Sequence, residues 1–329
     1  PFKGVTEEDR RRGYIRFVHS PDRDIQVNSV PTRREVDARL ELYAVPGEFE
    51  DGCIGIFPLK DCGTVRLETT DLESPEGGVI PRSAITVMVL RYKALNHDAV
   101  YTIEPKYLDP VKGKDVPVVQ GVTRSFWLVI RVPQGTRPGT YKGRVTFSFS
   151  KAQDDVVGYS VTVWPLKLVE PDFPMGIFMT GPMANYPRVE GDEEAMWNEW
   201  RKILSDAREH GMTSIDPKIR IPLKGIKDGR ADVDFSEMDR FMKLAKSAGF
   251  SKEINGYSVE SGIKFRNCRY SDSQAAKYGL TTFEELIRSY FKAVSDHARE
   301  NKWLPICFCT DDEYLIHPGG DPGKLAALH

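Results

Sequence analysis

No apolar stretch in this sequence approaches the length of a membrane span, which excludes a helical anchor within it. There is no long basic run either, and a formal net charge of -2 gives no electrostatic case for nucleic acid. Cysteine is scarce. The five thiols, Cys53, Cys62, Cys268, Cys307 and Cys309, cannot all pair internally. None belongs to a C-x-x-C pair with a nearby His, so no spacing is zinc-like. Cys307 and Cys309 would share one face of a strand and would not bridge each other. Cys53 and Cys62 fit either a bridge or two half-buried thiols. The acids between Asp228 and Asp234 lack the calcium-loop pattern, and no metal is expected. The chain starts at Pro1 and has no apolar leader segment. A removed export signal or a trimmed start would both read this way, and the expectation taken from the first is a bacterial extracellular or periplasmic location.

With 40% apolar and 29% charged residues over 329 positions, the composition is that of soluble globular protein. The length suffices for two domains with separate cores. The first half reads as β structure. Residues 39–45, 64–68, 84–90, 126–132, 141–150 and 158–164 alternate apolar and polar side chains between Pro/Gly turns. That density of short strands predicts a sandwich of two antiparallel sheets, with Trp127 and Trp164 expected to pack within it. No helical pattern of ordinary length precedes about residue 190.

The period then changes. Strands are predicted at 175–180, 213–221, 253–259 and 304–310, the second weakened by Pro217. Helices are predicted at 193–210, 236–248 and 281–301. The first carries Met196, Trp197, Trp200, Ile203, Leu204 and Ala207 on one face, and Gly211 suits its C-terminal cap. The second begins with Ser236 and Asp239 in the spacing of a capping box, and the third with Thr282 and Glu285. The order β-α-β-α-β-α-β implies parallel strands with right-handed crossovers. The boundary falls among Pro165, Pro171 and Pro174. The expected architecture is therefore a multidomain β and α/β chain: an antiparallel, immunoglobulin-like β-sandwich over residues 1–168, then the first half of a (β/α)8 TIM-type barrel over 169–329. A full barrel takes about 250 residues. The missing C-terminal half is expected from the same parent chain.

The chemistry concentrates at Asp311-Asp312-Glu313, which closes the apolar run 304–310. Carboxylates at the C-terminal end of a buried strand are costly to desolvate, and in a barrel that end is where active sites sit. One carboxylate raises the pKa of its neighbour, which keeps a general acid protonated. The same residues would also suit a solvated acidic loop in which Asp312 caps the next element. Asn185 and Tyr186 follow the first predicted strand, and Tyr257 lies near the end of the third. With Asp311 and Tyr314 they are candidates for substrate binding, since aromatic rings stack on sugar faces.

Three segments carry a family resemblance. They are Pro46-Gly47-Glu48-Phe49-Glu50 with Ile54-Gly55-Ile56-Phe57, then Phe126-Trp127-Leu128-Val129-Ile130-Arg131-Val132-Pro133 followed by Arg137-Pro138-Gly139-Thr140-Tyr141-Lys142-Gly143, and Glu170-Pro171-Asp172-Phe173-Pro174. With them the chain resembles glycoside hydrolase family 123-type proteins over most of its length. The resemblance implies a retaining, substrate-assisted exo-β-N-acetylhexosaminidase acting on N-acetylgalactosamine in a glycan or glycoconjugate, with no cofactor. In such a mechanism Glu313 is the acid/base and Asp312 orients the 2-acetamido group. A glycosidase of other specificity on the same scaffold, or a non-catalytic carbohydrate-binding surface protein, is the alternative.

Overall fold

Alternating segments of the first of two compact units, Pro1–Val169, form strands β1 (Tyr14–His19), β2 (Leu40–Ala44), β3 (Phe49–Pro58), β4 (Thr64–Thr69), β5 (Leu72–Glu73), β6 (Val79–Ile80), β7 (Ile85–His97), β8 (Val100–Pro110), β9 (Val116–Pro117), β10 (Arg124–Arg131), β11 (Gly139–Phe149) and β12 (Asp155–Val163). The computed structural model describes residues 4–179, 192–256, 261–263 and 271–308. One sheet runs β1-β3-β10-β7-β8. The other runs β2-β12-β11-β4-β9, with β5 and β6 attached at β11. Phe126, Leu128 and Ile130 of the first sheet join Leu42, Val145, Phe147 and Val161 of the second in one buried cluster. This is a β-sandwich core, sealed by burial of alternate side chains from both sheets. It is not wholly antiparallel, because β2 pairs β12 in parallel. Short helices α1 (Glu7–Arg12) and α2 (Arg33–Val36) flank β1 and β2.

The Pro-Gly-x-Tyr-x-Gly segment has a packing explanation. The Tyr141 hydroxyl donates to the Arg137 carbonyl at 2.8 Å, a corner that ties the turn back to the strand it feeds. Two residues on, a side chain at Gly143 would meet the Asp71 carbonyl at 3.2 Å and Leu72 at 3.1 Å. Cys53 and Cys62 are buried free thiols, so the bridge does not form. Two expectations about this unit need correction. Trp164 does not pack inside but is 48% exposed. The strand predicted at 84–90 runs on to His97 and pairs with β8, which the alternation did not reveal. Its turn uses positive φ at Asp98 and Ala99 rather than the Asn-Gly that signals such hairpins.

The second unit, Glu170–His329, contains β13 (Phe178–Met179), α3 (Glu193–Glu209), β14 (Asp216–Pro217), β15 (Leu223–Lys227), β16 (Arg230–Val233), α4 (Ser236–Ser247), β17 (Ile254–Asn255), α5 (Asp272–Ala276), α6 (Phe283–Glu300) and β18 (Ile306–Cys307). β13 pairs β14 in parallel and β17 pairs β18 in parallel. The Asn255 N–H donates to the Ile215 carbonyl and joins the two pairs. The result is a curled half-barrel sheet in the order β13-β14-β17-β18. Its ladders are two residues long, far short of regular barrel strands.

The helices lie where their apolar stripes predict. α3 buries Met196, Trp197, Trp200, Leu204 and Ala207, and Gly211 follows it at φ +84°. In α6 the reciprocal capping box of Thr282 and Glu285 is formed. The box expected at Ser236 is not. Asp234 accepts from the Ser236 N–H instead, and Ser236, with Lys224 beyond it, holds the Asp234 carboxyl below the usual carboxylate range. Asp239 is drawn away to α6, as described below. The acid-rich stretch from Asp228 is the turn and second strand of the β15–β16 hairpin, reversed by positive φ at Asp228 and Gly229.

The close approach of β13 to β14 depends on Gly176. A Cβ there would stand 2.1 Å from the Ser214 carbonyl oxygen. Gly176→Ala is expected to destabilise the chain by about 1–3 kcal/mol, the usual cost of overpacking. Urea unfolding followed by tryptophan fluorescence measures this, and an unchanged midpoint contradicts it.

Candidate active site

The parallel strands of the second unit have two chemically different faces. Ile215 and Ile254 belong to the buried cluster made with the helices, and Met179 and Ile306 pack against it. Side chains alternate across a strand, so Phe178, Asp216, Asn255 and Cys307 occupy the opposite face. The register agrees: Phe178 stands beside Asp216, and Asn255 beside Cys307. One apolar, two polar and one thiol-bearing residue thus form a row across the C-terminal ends of the strands. Asp216 is 2% exposed, and a carboxylate is buried at such a cost only when its surroundings compensate it. Cys307 is exposed. The Gly256 N–H continues the ladder to the Cys307 carbonyl at 2.8 Å.

The residues singled out from the sequence all come next in the chain. Asn185 and Tyr186 follow β13, Tyr257 follows β17, and Asp311, Asp312, Glu313 and Tyr314 follow β18. All seven lie outside the described residues. Asp216 and Asn255 were missed. Their signal was present in the alternation Ile215-Asp216 and Ile254-Asn255, a polar residue after an apolar one at a strand end. In strands this short, two residues of alternation are too few to register.

Other groups that could be mistaken for a site are structural. The Asp239 carboxylate accepts from the Trp303 Nε1–H at 2.7 Å and lies 2.9 Å from His297 Nε2. Phe235 stacks on the His297 ring at 3.8 Å between centroids. These contacts tie α4 to α6 on the helical side of the sheet. In the first unit, His19 Nε2 lies 2.9 Å from Ser125 Oγ. Burial holds that imidazole below its ordinary pKa and pushes the thiol of its ladder partner Cys53 up. A protonated, enclosed thiol is no nucleophile. Among the described residues, no group of three or more His, Cys, Asp or Glu is arranged to hold a metal ion.

Comparison with known proteins covers both units. Residues 186–319 match the family described as "Glycoside hydrolase 123, catalytic domain", and residues 53–148 match "Glycoside hydrolase 123 N-terminal domain". Among solved structures, the chain is similar to a family 123 glycoside hydrolase from Clostridium perfringens studied for glycolipid glycan hydrolysis. The TM-score is 0.66 at 15% identity, over 88% of this chain and 57% of that one. The chain therefore spans little more than half the length of that enzyme. A family 39 glycoside hydrolase from Bacteroides cellulosilyticus aligns over 88% of this chain and 46% of its own, at 16% identity and a TM-score of only 0.30. No curated protein sequence matches.

Proposed function

We propose, from the premise that this chain belongs to glycoside hydrolase family 123, that the whole protein is a glycosidase working on a glycan. In this reading the curled sheet is part of a (β/α)8 barrel, and the reaction is substrate-assisted cleavage of a terminal N-acetyl-β-hexosaminide, N-acetylgalactosamine foremost. The observation that carries it is the strand order. Two parallel strand pairs are joined through the Asn255 N–H, and Asp312-Glu313 follows the last strand within the region matching the family's catalytic domain. The glycolipid glycan hydrolysis named for the clostridial enzyme supports a glycan as the substrate.

The chemistry runs in two steps. The carbonyl oxygen of the sugar's own 2-acetamido group attacks C1 as the C1–O glycosidic bond breaks. Glu313 gives its proton to the departing oxygen. Asp312 accepts from the acetamido N–H and stabilises the positive charge that spreads onto the ring as the oxazolinium forms. Glu313, now a carboxylate, takes a proton from water as that water attacks C1. The bond between C1 and the acetamido oxygen breaks, and the sugar leaves with its anomeric configuration retained. Substrate-assisted enzymes depart in this way from the usual pair of opposed carboxylates.

Two measurements test the reading. The full-length protein is expected to hydrolyse an aryl N-acetyl-β-galactosaminide and to be inhibited by a thiazoline analogue of the oxazoline. Hydrolysis of aryl β-galactoside at an equal rate, or indifference to the thiazoline, would replace the acetamido group with a protein nucleophile. The buried Asp216 gives a further prediction. On the face away from the helices, its carboxylate is suited to accept from a sugar hydroxyl. A hydrogen bond to a charged group contributes about 1.5–3 kcal/mol. Asp216→Asn is therefore expected to lower kcat/KM by about 10- to 100-fold. Unaltered kinetics would remove it from the site.

A further inference from the structure

The exposed Trp164 belongs to a surface that the hydrolytic reading does not use. In the seven-stranded sheet, Leu40, Leu42, Tyr141, Tyr159, Val161 and Val163 face the sandwich core. Alternation then places Tyr43 and Glu41 of β2, Thr162 and Ser160 of β12, and Thr140 and Lys142 of β11 on the outer face. The registers align them in two rows across three strands: Tyr43-Thr162-Thr140 and Glu41-Ser160-Lys142. Trp164 extends the first row's aromatic end, its N–H held by the Ala44 carbonyl at 2.9 Å. The Tyr43 and Trp164 rings meet at 90° with centroids 6.2 Å apart, and Tyr43 is 55% exposed. The Thr140 and Thr162 hydroxyls lie 3.2 Å apart beside them. A cleft of about 480 Å³ at the edge of the sheet, bordered by Glu41, Lys142, Gly158 and Ser160 and by Arg16 and Val18 of β1, adjoins the second row.

We propose that this outer face of the first unit is a glycan-binding surface. The occupant is one or two pyranose rings of an oligosaccharide chain. A pyranose has an apolar C–H face and a rim of hydroxyls, and the patch offers a complement to each. The two perpendicular rings form a corner with a floor and a wall for the C–H face. The threonine and serine hydroxyls can donate to and accept from the hydroxyl rim, the Glu41 carboxylate accepts from it and the Lys142 ammonium donates to it. Scale agrees as well. Same-face rows on a strand lie about 7 Å apart and neighbouring strands about 5 Å, so the patch spans one or two sugar rings. It falls well short of the roughly 800 Å² per partner that a stable protein interface buries. Its mixed charge suits neither a polyanion nor a membrane surface.

Affinity electrophoresis tests this. The full-length protein and its Tyr43→Ala, Tyr43→Phe, Trp164→Ala and Tyr101→Ala variants are run in native gels cast with gastric mucin, galactan or xyloglucan. Tyr101, 71% exposed on β8, is the control for aromatic exposure alone. The parent protein is expected to be retarded by at least one of these glycans. Tyr43→Ala and Trp164→Ala should each weaken that retardation about tenfold in apparent Kd, the worth of one ring contact. Tyr43→Phe, which keeps the ring, should retain most of it, and Tyr101→Ala should migrate as the parent. No retardation in any gel, equal retardation by all variants, or an equal loss in Tyr101→Ala overturns the proposal. So does size-exclusion chromatography showing a dimer that Tyr43→Ala or Trp164→Ala dissociates, because the occupant would then be a second copy. Hydrolysis of a small aryl glycoside is expected to be unchanged in the Tyr43 and Trp164 variants, so failure here and failure of the hydrolase reading are distinguishable.

Discussion

Glu313→Gln is expected to lower kcat on an N-acetyl-β-galactosaminide with a sugar leaving group by about 10²- to 10⁴-fold, the usual worth of a positioned general acid. Glutamine keeps the shape and removes the transferable proton. The loss should therefore depend on the leaving group. An aryl group that departs as a stable phenolate needs little protonation, so its first step should fall least, whereas a sugar leaving group should show the full deficit. The pH–rate profile should also lose the limb that reports the acid. Asp312→Asn acts on the other side of the same step. In the proposed mechanism it removes the negative charge that stabilises the oxazolinium, so its loss should persist whatever the leaving group. Both variants should still bind the thiazoline measurably, Asp312→Asn more weakly. Equal activity in the parent and both variants would sink the assignment of the pair. Activity lost in Asp311→Asn and spared in Asp312→Asn would move the acetamido role one residue back.

Trp200→Ala is expected to destabilise the second unit by about 3–5 kcal/mol, the range for removing a large aromatic side chain from a closed core. Trp200 is 1% exposed and meets Phe241 of α4 edge-to-face at 5.2 Å. It sits in the cluster that also contains Ile215 and Ile254, the residues that hold β14 and β17 against the helices. Truncation leaves a cavity at the junction of both helices and the sheet, and such stability as the parent has is of similar size. Chemical unfolding should therefore show either a large fall in midpoint or two separated transitions, the first unit unfolding later. A change below about 1 kcal/mol would mean that the helices do not depend on this contact. Trp200→Phe, which refills most of the space, should recover much of the loss.

How much of this was legible in the sequence differs between the units. The alternation of β2, β10, β11 and β12 marked strands because their apolar residues all face one core. It missed β8, which contributes no residue to the buried cluster and is half-buried or exposed along the whole hairpin arm. Without burial on one face, alternation carries no signal. The helices were read well because a stripe such as Phe283, Leu286, Ile287, Tyr290 and Val294 repeats over several turns. The capping box at Ser236 failed for a reason that the local sequence could not contain. Asp239 had a stronger claim on it from His297 and Trp303, which lie 58 and 64 residues away.

The candidate site divides in the same way. Sequence alone determined the periods, the two-part organisation, the family and the position of Asp312-Glu313 after a fourth strand, because these depend on residue order and local spacing. Only the tertiary structure decided that β2 joins β12 in parallel, that Trp164 stands outside the sandwich beside Tyr43, and that Asp216 and Asn255 share a face at the strand ends. The reason is physical. A side chain's face within a two-residue strand, and the company it keeps across a sheet, follow from which distant segments hydrogen-bond to one another. That choice is made by burial of the whole core rather than by any stretch of the chain.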